Sequence, residues 1–320
     1  MVGTNLPPDA RMTAPRNVRP GVTWFVTRRT TRRHHLFTPD EAGLVEQLYW
    51  YTTAVYANEL GVQVHMTQLL STHCHEVLTD TRGNLPRFFE LRNRALANAL
   101  KVLRGWPEEV VSKTPANWVE LPTAEAMVKE MAYTAANCVA AGLVRTPRRW
   151  PGAKVLVDEV GRRVVKVMRP DFYFNPNNPK WPEEVTLRIV MPRILGEAFK
   201  NHEDARQAVQ VQLDNLVRRA HRDRKTGLGY AGAKRILKMR HTRRASSREP
   251  FGSRNPTFAA AGNLDVARTL VDRRRAFLSA YRAAWRAWKA GDRSTIFPLG
   301  SWKMRAQHSD AHASHPRPAL

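Results

Sequence analysis

Cysteine, acidic residues and long apolar runs are all scarce in this sequence of 320 residues. Its two cysteines, Cys74 and Cys138, cannot build a disulfide framework or a four-cysteine zinc ribbon. No apolar run approaches the ~18 residues that a transmembrane helix needs, and the N-terminus lacks the apolar segment of a secretion signal. We therefore expect a cytoplasmic protein with no membrane partner.

Basic residues are what the sequence has in excess. Its 52 Lys and Arg stand against 28 Asp and Glu, which gives a formal net charge of +24. An apolar share of 42%, with nine Trp and eleven Phe, indicates a folded protein rather than a disordered basic tail. The charge is uneven, because residues 1–150 carry a net +5 and residues 151–320 a net +19. This charge predicts a polyanionic partner, and association with the nucleoid if that partner is DNA.

A turn-forming stretch divides the chain near its middle. TPRRWPG, residues 146–152, contains the Pro and Gly typical of a linker. We expect disordered ends at residues 1–20 and 306–320, because both are Pro-dotted and polar. Between them we predict a first domain at 21–150, a β-containing connector at 151–200 and a basic, α-rich, DNA-binding accessory region at 201–305.

Hydrophobic periodicity predicts alternating strands and helices in the first half. Strands are expected at 22–30, 62–70, 72–80 and 118–121, and helices at 39–60, 85–104 and 124–144. This order is typical of the α+β, ferredoxin-like (RRM-like) fold, a four-stranded antiparallel sheet with helices on one face. In the second half we expect a hairpin at 154–168, a strand at 185–192, and helices at 203–224, 231–240 and 264–290.

Two histidines stand two residues apart in the third predicted strand. Side chains at this spacing point to the same face of a sheet, so His73 and His75 project together and Cys74 points the other way. Two imidazoles on one face form half of a divalent-metal site. The alternative is a chance pair on a solvated face, and the pair alone does not decide between them.

The third predicted helix supplies candidates for the missing groups. Tyr133 and Asn137 lie one turn apart on one helix face. A metal held by His73, His75 and the Asn137 amide oxygen could orient a phosphodiester against the Tyr133 hydroxyl. Taken alone, a tyrosine on an amphipathic helix fits packing as well as catalysis.

Three segments resemble motifs of the single-tyrosine HUH transposases, in particular the REP-associated type. STHCHEVLTD (71–80) resembles their HUH strand, YTAANCVAAGLVRTPRRWPG (133–152) their tyrosine signature, and VTWFVTRRTTRRHHLF (22–37) their first strand and basic loop. The motifs occur in the family's order and cover the first half of the chain. Three positions depart from the family pattern: Thr72 replaces an Asn, Cys74 an aromatic residue and Cys138 a Pro.

The resemblance implies a catalytic domain at 21–150, with Tyr133 as nucleophile and with His73, His75 and Asn137 as ligands of Mg²⁺ or Mn²⁺. It implies a transposase that cleaves hairpin-containing single-stranded DNA through a 5′-phosphotyrosine link and rejoins strands, as a monomer or a homodimer. Two alternatives stay open: a catalytically silent nucleic-acid-binding protein of the same fold, and an HUH replication initiator. The intact set of four residues argues against the first, and the Ala-Gly-Leu-Val continuation against the second.

Two basic groups are candidates for contacts with the DNA backbone. The first lies beside the first strand, where His34 and His35 are expected to be solvated, and the second follows the turn GLGYAG at 227–232, which lacks the βαβ context of a dinucleotide site. For the first group a merely solvated loop is an equal alternative. The candidates are Arg28, Arg29, Arg32, Arg33, Lys234, Arg235, Lys238 and Arg240.

Overall fold

The computed structural model describes residues 15–114, 116–224, 227–246 and 256–314. The chain divides into two compact units, one formed by Gly21–Leu264 and the other by Met1–Pro20 with Asp265–Leu320. Among the described residues, no helix combines the length and the apolar content of a membrane span.

A four-stranded antiparallel sheet is the centre of the unit Gly21–Leu264, in the order β2-β3-β1-β4. Two helices, each connecting a pair of these strands, pack against each other. This is the ferredoxin-like topology that the order of elements predicts, so the predicted fold class is confirmed. The elements are β1 (Val22–Arg29), α1 (Leu44–Leu60), β2 (Val62–Leu70), β3 (His73–Asp80), α2 (Leu85–Arg104) and β4 (Asn117–Glu120).

The third helix, α3 (Ala124–Ala140), lies on the opposite face of the sheet from α1 and α2. Cys74 contacts Tyr49 of α1, whereas its neighbour His75 contacts Tyr133 of α3. The helix begins at Thr123, whose hydroxyl accepts from the Ala126 N–H, and ends earlier than the predicted residue 144. It ends because Gly142 adopts a left-handed conformation (φ +69°) that reverses the chain.

A buried ion pair connects β3 to α2. Arg92 Nη2 donates to Glu76 Oε2 at 2.7 Å, and both side chains are excluded from solvent. The Tyr49 hydroxyl donates to the other carboxylate oxygen at 2.8 Å, and the guanidinium lies over the Tyr49 ring. Because both charges have partners, the group can be buried without an unpaired charge.

Segments from the second half cover both edges of the sheet. At the β2 edge, Leu69 N donates to Ala153 O and Val190 N to Val64 O. At the β4 edge, Glu120 exchanges backbone hydrogen bonds with residues 257 and 259. The predicted boundaries at residues 150 and 200 therefore fall inside one compact unit, because these contacts join the connector and the first domain.

The remaining elements of this unit differ from the sequence prediction in several places. The helix at 193–198 has no predicted counterpart, the strand expected at 185–192 ends at residue 188, and the helix expected at 231–240 spans only 233–237. The predicted hairpin at 154–168 is wrong, because residues 157–159 form a 3-10 turn and the following strand pairs with the later one instead. The helix at 202–222 packs along α3. The elements are β5 (Val164–Met168), β6 (Glu184–Arg188), α4 (Arg193–Ala198), α5 (His202–Arg222) and α6 (Ala233–Leu237).

The second unit is built on one long helix, α7 (Leu264–Lys289), followed by β7 (Ile296–Phe297), α8 (Trp302–Gln307) and β8 (His312–Ala313). Phe277 and Tyr281 of α7 are buried, as their helical spacing predicts. Parts of both predicted disordered ends are ordered. In the predicted tail, β8 pairs with β7. In the predicted N-terminal segment, Val18 N donates to Gly300 O. The rest of those two predicted segments, 1–14 and 315–320, lies outside the described residues.

We predict that Arg92→Met lowers the free energy of unfolding by about 3–5 kcal/mol, because it leaves the Glu76 carboxylate buried without a partner. Arg94→Met is the matched control: Arg94 is exposed and pairs with Glu90 on the same helix, so its loss costs below about 1 kcal/mol. Urea denaturation of both variants measures the difference. Equal losses of stability in the two variants would contradict the stabilising role of the buried ion pair.

A second prediction concerns pH and the buried His65. Its Nδ1 donates to Val190 O at 2.8 Å, so its Nε2 accepts from the Thr79 hydroxyl at 2.7 Å and the ring is neutral. Burial lowers the pKa of His65 to about 4. The stabilisation is therefore complete above the unfolded pKa of ~6.5 and is lost as pH falls through 4.

Between pH 6 and 4.5 the free energy of unfolding should fall more steeply with pH in the wild type than in His65→Gln. The difference in slope should correspond to the binding of up to about one additional proton on unfolding. Urea denaturation at each pH measures this slope. His202→Gln, at an exposed histidine, should keep the wild-type slope. A wild-type slope in His65→Gln would show that His65 does not titrate as proposed.

Candidate active site

His73 and His75 project from the face of β3 that carries α3, as the strand period predicts. Their ring centroids are 4.7 Å apart and their planes nearly perpendicular. Each ring is held through its Nδ1 by a threonine hydroxyl at 2.9 Å, Thr72 for His73 and Thr27 for His75. The Nε2 atoms are therefore the ones positioned to bind a ligand.

Asn137 connects the histidines to the tyrosine. Its Oδ1 is 3.4 Å from His73 Nε2, and its amide lies close enough to the Tyr133 hydroxyl to influence the pKa of that phenol. The structure therefore brings together all four residues that the sequence singles out, from one strand and one helix. Thr72, a departure from the family pattern, takes part by orienting His73.

This donor set fits a divalent cation. Two donors bound ~2.1 Å from one ion lie ~3 Å apart, which is close to the 3.4 Å between His73 Nε2 and Asn137 Oδ1. Among the described residues, no group of three or more His, Cys, Asp or Glu could hold a metal, and the Asn137 amide is the further oxygen donor that lies beside His73. Three protein donors leave positions for a phosphate oxygen and water.

The ring of Tyr133 lies between the sheet and solvent. It is 43% exposed and contacts His75 (centroids 5.4 Å apart) and Phe25 (5.9 Å) edge-on. Burial raises the pKa of Tyr133 above its ordinary value, while the hydrogen bond from Asn137 opposes that rise. The hydroxyl is thus accessible but protonated at neutral pH, so it needs electrostatic assistance to act as a nucleophile.

His75 is in the neutral form that metal binding requires. Burial, and then the positive potential of His73 and Arg29, lower the pKa of His75 well below its ordinary value. Phe25 stacks on its ring with centroids 5.4 Å apart. The imidazole is therefore fixed in orientation and ready to coordinate at neutral pH.

Gln68 of β2 fastens the helical turn that carries Asn137. It is buried, and its Oε1 accepts from Cys138 N at 3.1 Å while its Nε2 donates to Ala135 O at 3.4 Å. Gln68 also faces His75 in the register of the neighbouring strand. Cys138 keeps an N–H where the family has Pro, and this N–H is the one that Gln68 binds. Sequence analysis missed Gln68, because only the register of the hairpin reveals it.

A cleft of about 1380 Å³ opens beside Tyr133. Phe25, Thr27 and His75 contribute to its sheet side, and Glu130 and Lys129 lie on the same helix as the tyrosine. The helical spacing of Lys129 and Tyr133 could have identified this lysine in advance. The cations that line the cleft are Arg29, Arg32, Arg33, Lys101, Lys113 and Lys129.

Three of the four arginines predicted beside β1 line this cleft, namely Arg29, Arg32 and Arg33. Arg28 is the exception, because its guanidinium donates to Ser112 O and Thr114 O at 2.7 and 2.8 Å. Residues 112 and 114 line the cleft themselves, so Arg28 supports its wall.

The loop that presents Arg32 and Arg33 is held by the second half of the chain. Both residues have left-handed backbones, with φ of 44° and 58°, a conformation that costs about 1–2 kcal/mol in a residue other than glycine. The expectation that His34 is solvated is wrong: it is buried, its Nδ1 donates to Thr242 O at 2.9 Å, and its ring packs on Trp106.

The second predicted basic group is separate from the cleft. Arg235, Lys238 and Arg240 surround a concavity of about 430 Å³, and Lys234 is exposed nearby in the same short helix. The turn before them is anchored, because Gly232 N donates to Leu143 O at 2.9 Å. These cations form a patch of their own.

We predict that Gln68→Met weakens Mn²⁺ binding by about 10- to 100-fold, because supports of metal ligands have effects of this size. Electron paramagnetic resonance of free Mn²⁺ measures the affinity without any need for activity. Gln63→Met is the control, at an exposed glutamine of the same strand. If Gln68→Met lowered the melting temperature but bound Mn²⁺ like the wild type, its role would be structural only.

Comparison with known proteins returns structures and no sequence matches. No protein-family model matches this chain, and no curated protein matches it. One solved structure, a REP-associated tyrosine transposase bound to a REP hairpin, is 17% identical over 47% of this chain and 86% of its own, with a TM-score of 0.40. Another, a putative transposase from Deinococcus radiodurans R1, is 14% identical over 34% of this chain and 85% of its own, with a TM-score of 0.27.

Proposed function

We propose that this protein is a transposase that cleaves and rejoins single-stranded DNA, with Tyr133 as its nucleophile. One observation carries the proposal: the Tyr133 hydroxyl, the two imidazoles and the Asn137 amide converge at the edge of a basic cleft. A packing tyrosine would not need two oriented imidazoles beside it. A simple binding surface would not need an exposed phenol beside two oriented imidazoles and an amide.

The reaction is a transesterification. The Tyr133 oxygen forms a bond to the scissile phosphorus as the bond to the 3′-oxygen breaks, and the phenol proton ends on the leaving 3′-hydroxyl. The product is a 5′-phosphotyrosine link and a free 3′-OH. Because one phosphodiester replaces another, a second 3′-OH can reverse the step and join a new strand without ATP.

His73, His75 and Asn137 would hold Mg²⁺ or Mn²⁺. When bound, the cation supplies positive charge to the non-bridging phosphate oxygens, as metals do in other phosphoryl transfers. The protein's own part is to fix the donors: Thr72 and Thr27 orient the imidazoles, and Gln68 fixes the helical turn of the amide. Preorganised donors need no rearrangement during the reaction.

The cleft favours a single strand as substrate. Its cations suit a phosphate backbone, and a positively charged groove that follows the backbone is typical of proteins that bind a single strand. We further propose that the single strand flanks a hairpin, because the segments 71–80 and 133–152 resemble the motifs of transposases that act on such DNA.

We predict that Tyr133→Phe abolishes covalent attachment to DNA, because it removes the attacking oxygen. The wild type, incubated with Mn²⁺ and a 3′-labelled single-stranded hairpin DNA, should carry the label on a denaturing gel. With a 5′-labelled substrate it should instead release a free fragment. Tyr173→Phe, at an exposed tyrosine, is the matched control and should behave as the wild type.

No adduct from the wild type would favour the catalytically silent alternative. An equal adduct from Tyr133→Phe would show that another residue is the nucleophile. Label transfer from the 5′-labelled DNA in place of the 3′-labelled DNA would reverse the proposed polarity.

A further inference from the structure

The outward face of α7 carries a row of cations that the proposed reaction does not use. Arg268, Arg275, Arg282 and Lys289 follow one another at intervals of seven residues, and all four are exposed. Seven residues are close to two helical turns, so these side chains lie along one side of the helix. Arg286 lies on the same side and is also exposed.

The opposite side of α7 is occupied by the core of its own unit. Phe277, Tyr281 and Ala284 are buried together with Phe297 and Met304. Because this apolar side already has its partners, the unit fixes the helix with the cationic row turned to solvent. The row is therefore part of a folded surface.

The charges on the C-terminal part of the row are not compensated within the helix. The sequence from Arg273 to Gly291 contains no Asp or Glu, whereas the first turns include the ion pairs Asp265–Arg268 and Asp272–Arg275. Arg282 and Arg286 are four residues apart, a spacing at which like charges destabilise a helix. A bound polyanion would remove this repulsion.

The dimensions of the row fit a nucleic-acid duplex. From Arg268 to Lys289 the helix rises ~31 Å at ~1.5 Å per residue, which is close to the ~34–36 Å of one turn of B-form DNA. A helix ~10–12 Å wide also matches the ~12 Å major groove. We propose that this face of α7 binds double-helical DNA through its phosphates. The proposal goes beyond the proposed function, since it assigns a duplex site to a unit that holds none of the catalytic residues.

The test is salt-dependent binding of the full chain to a blunt 16-base-pair duplex without hairpin or single-stranded arms, in the absence of divalent metal. The triple variant Arg282→Gln, Arg286→Gln and Lys289→Gln should bind at least about tenfold more weakly at 150 mM salt. Its plot of log K against log salt should be shallower by up to about 2.7, at ~0.9 for each phosphate that the variant no longer neutralises.

A control with the same loss of charge separates this face from a general effect of net charge. Lys166, Arg188 and Lys200 are exposed cations of the other unit, outside the cleft, and their replacement by Gln should leave the salt dependence nearly unchanged. Wild-type duplex binding by the α7 variant, or an equal loss in the control, would overturn the proposal. The proposal would also be overturned if the α7 variant lost affinity for single-stranded DNA but not for the duplex.

The outcome does not depend on the cleavage chemistry. If the wild type forms the covalent adduct and the α7 variant binds duplex normally, the inference fails and the proposed function stands. If no adduct forms but the α7 variant has lost duplex binding, the reverse holds.

Discussion

The ion pair between Glu76 and Arg92 is the interaction on which the candidate site depends. Glu76 lies next to His75 in β3, so the residue that anchors the strand and the histidine of the candidate site point to opposite faces. The ion pair and the Tyr49 hydroxyl together fix β3 against α1 and α2, which pack on the face of the sheet opposite α3. A shift of β3 by one residue would bury the histidines among those helices and turn the carboxylate toward the cleft.

On the other face, the site is oriented by neutral hydrogen bonds. Two threonine hydroxyls hold the imidazoles by Nδ1, and one glutamine holds the turn of α3. Neutral partners orient the imidazoles and the amide without adding a charge of their own. The charged groups stand farther out, at the walls of the cleft, where they can attract a polyanion without occupying the donors.

The sequence predicted the sheet well, and it predicted that the candidate site residues share faces, because both follow from local periods. The two-residue period of a strand predicts that His73 and His75 share one face of the sheet. The period of a helix predicts that Tyr133 and Asn137 share one face of α3. What could not be predicted depends on contacts between residues far apart in the chain: the glutamine that meets α3 across a strand, the carbonyls that bind Arg28, and the backbone that buries His34. The prediction of a hairpin at 154–168 is wrong for the same reason, because the strand at 164–168 pairs with a strand that comes later in the chain.

The β4 edge of the sheet is paired only late in the synthesis of the chain. All four strands and the four site residues have been made by residue 137, but the β4 edge has no partner until the chain reaches residues 257–259. At ~5–20 residues per second, the interval from Glu120 to that point is about 7–28 s. An unpaired strand edge in a nascent chain is a template for unwanted pairing. A product that stops early thus carries every candidate site residue on a sheet with an open edge, where a strand of a second copy can pair.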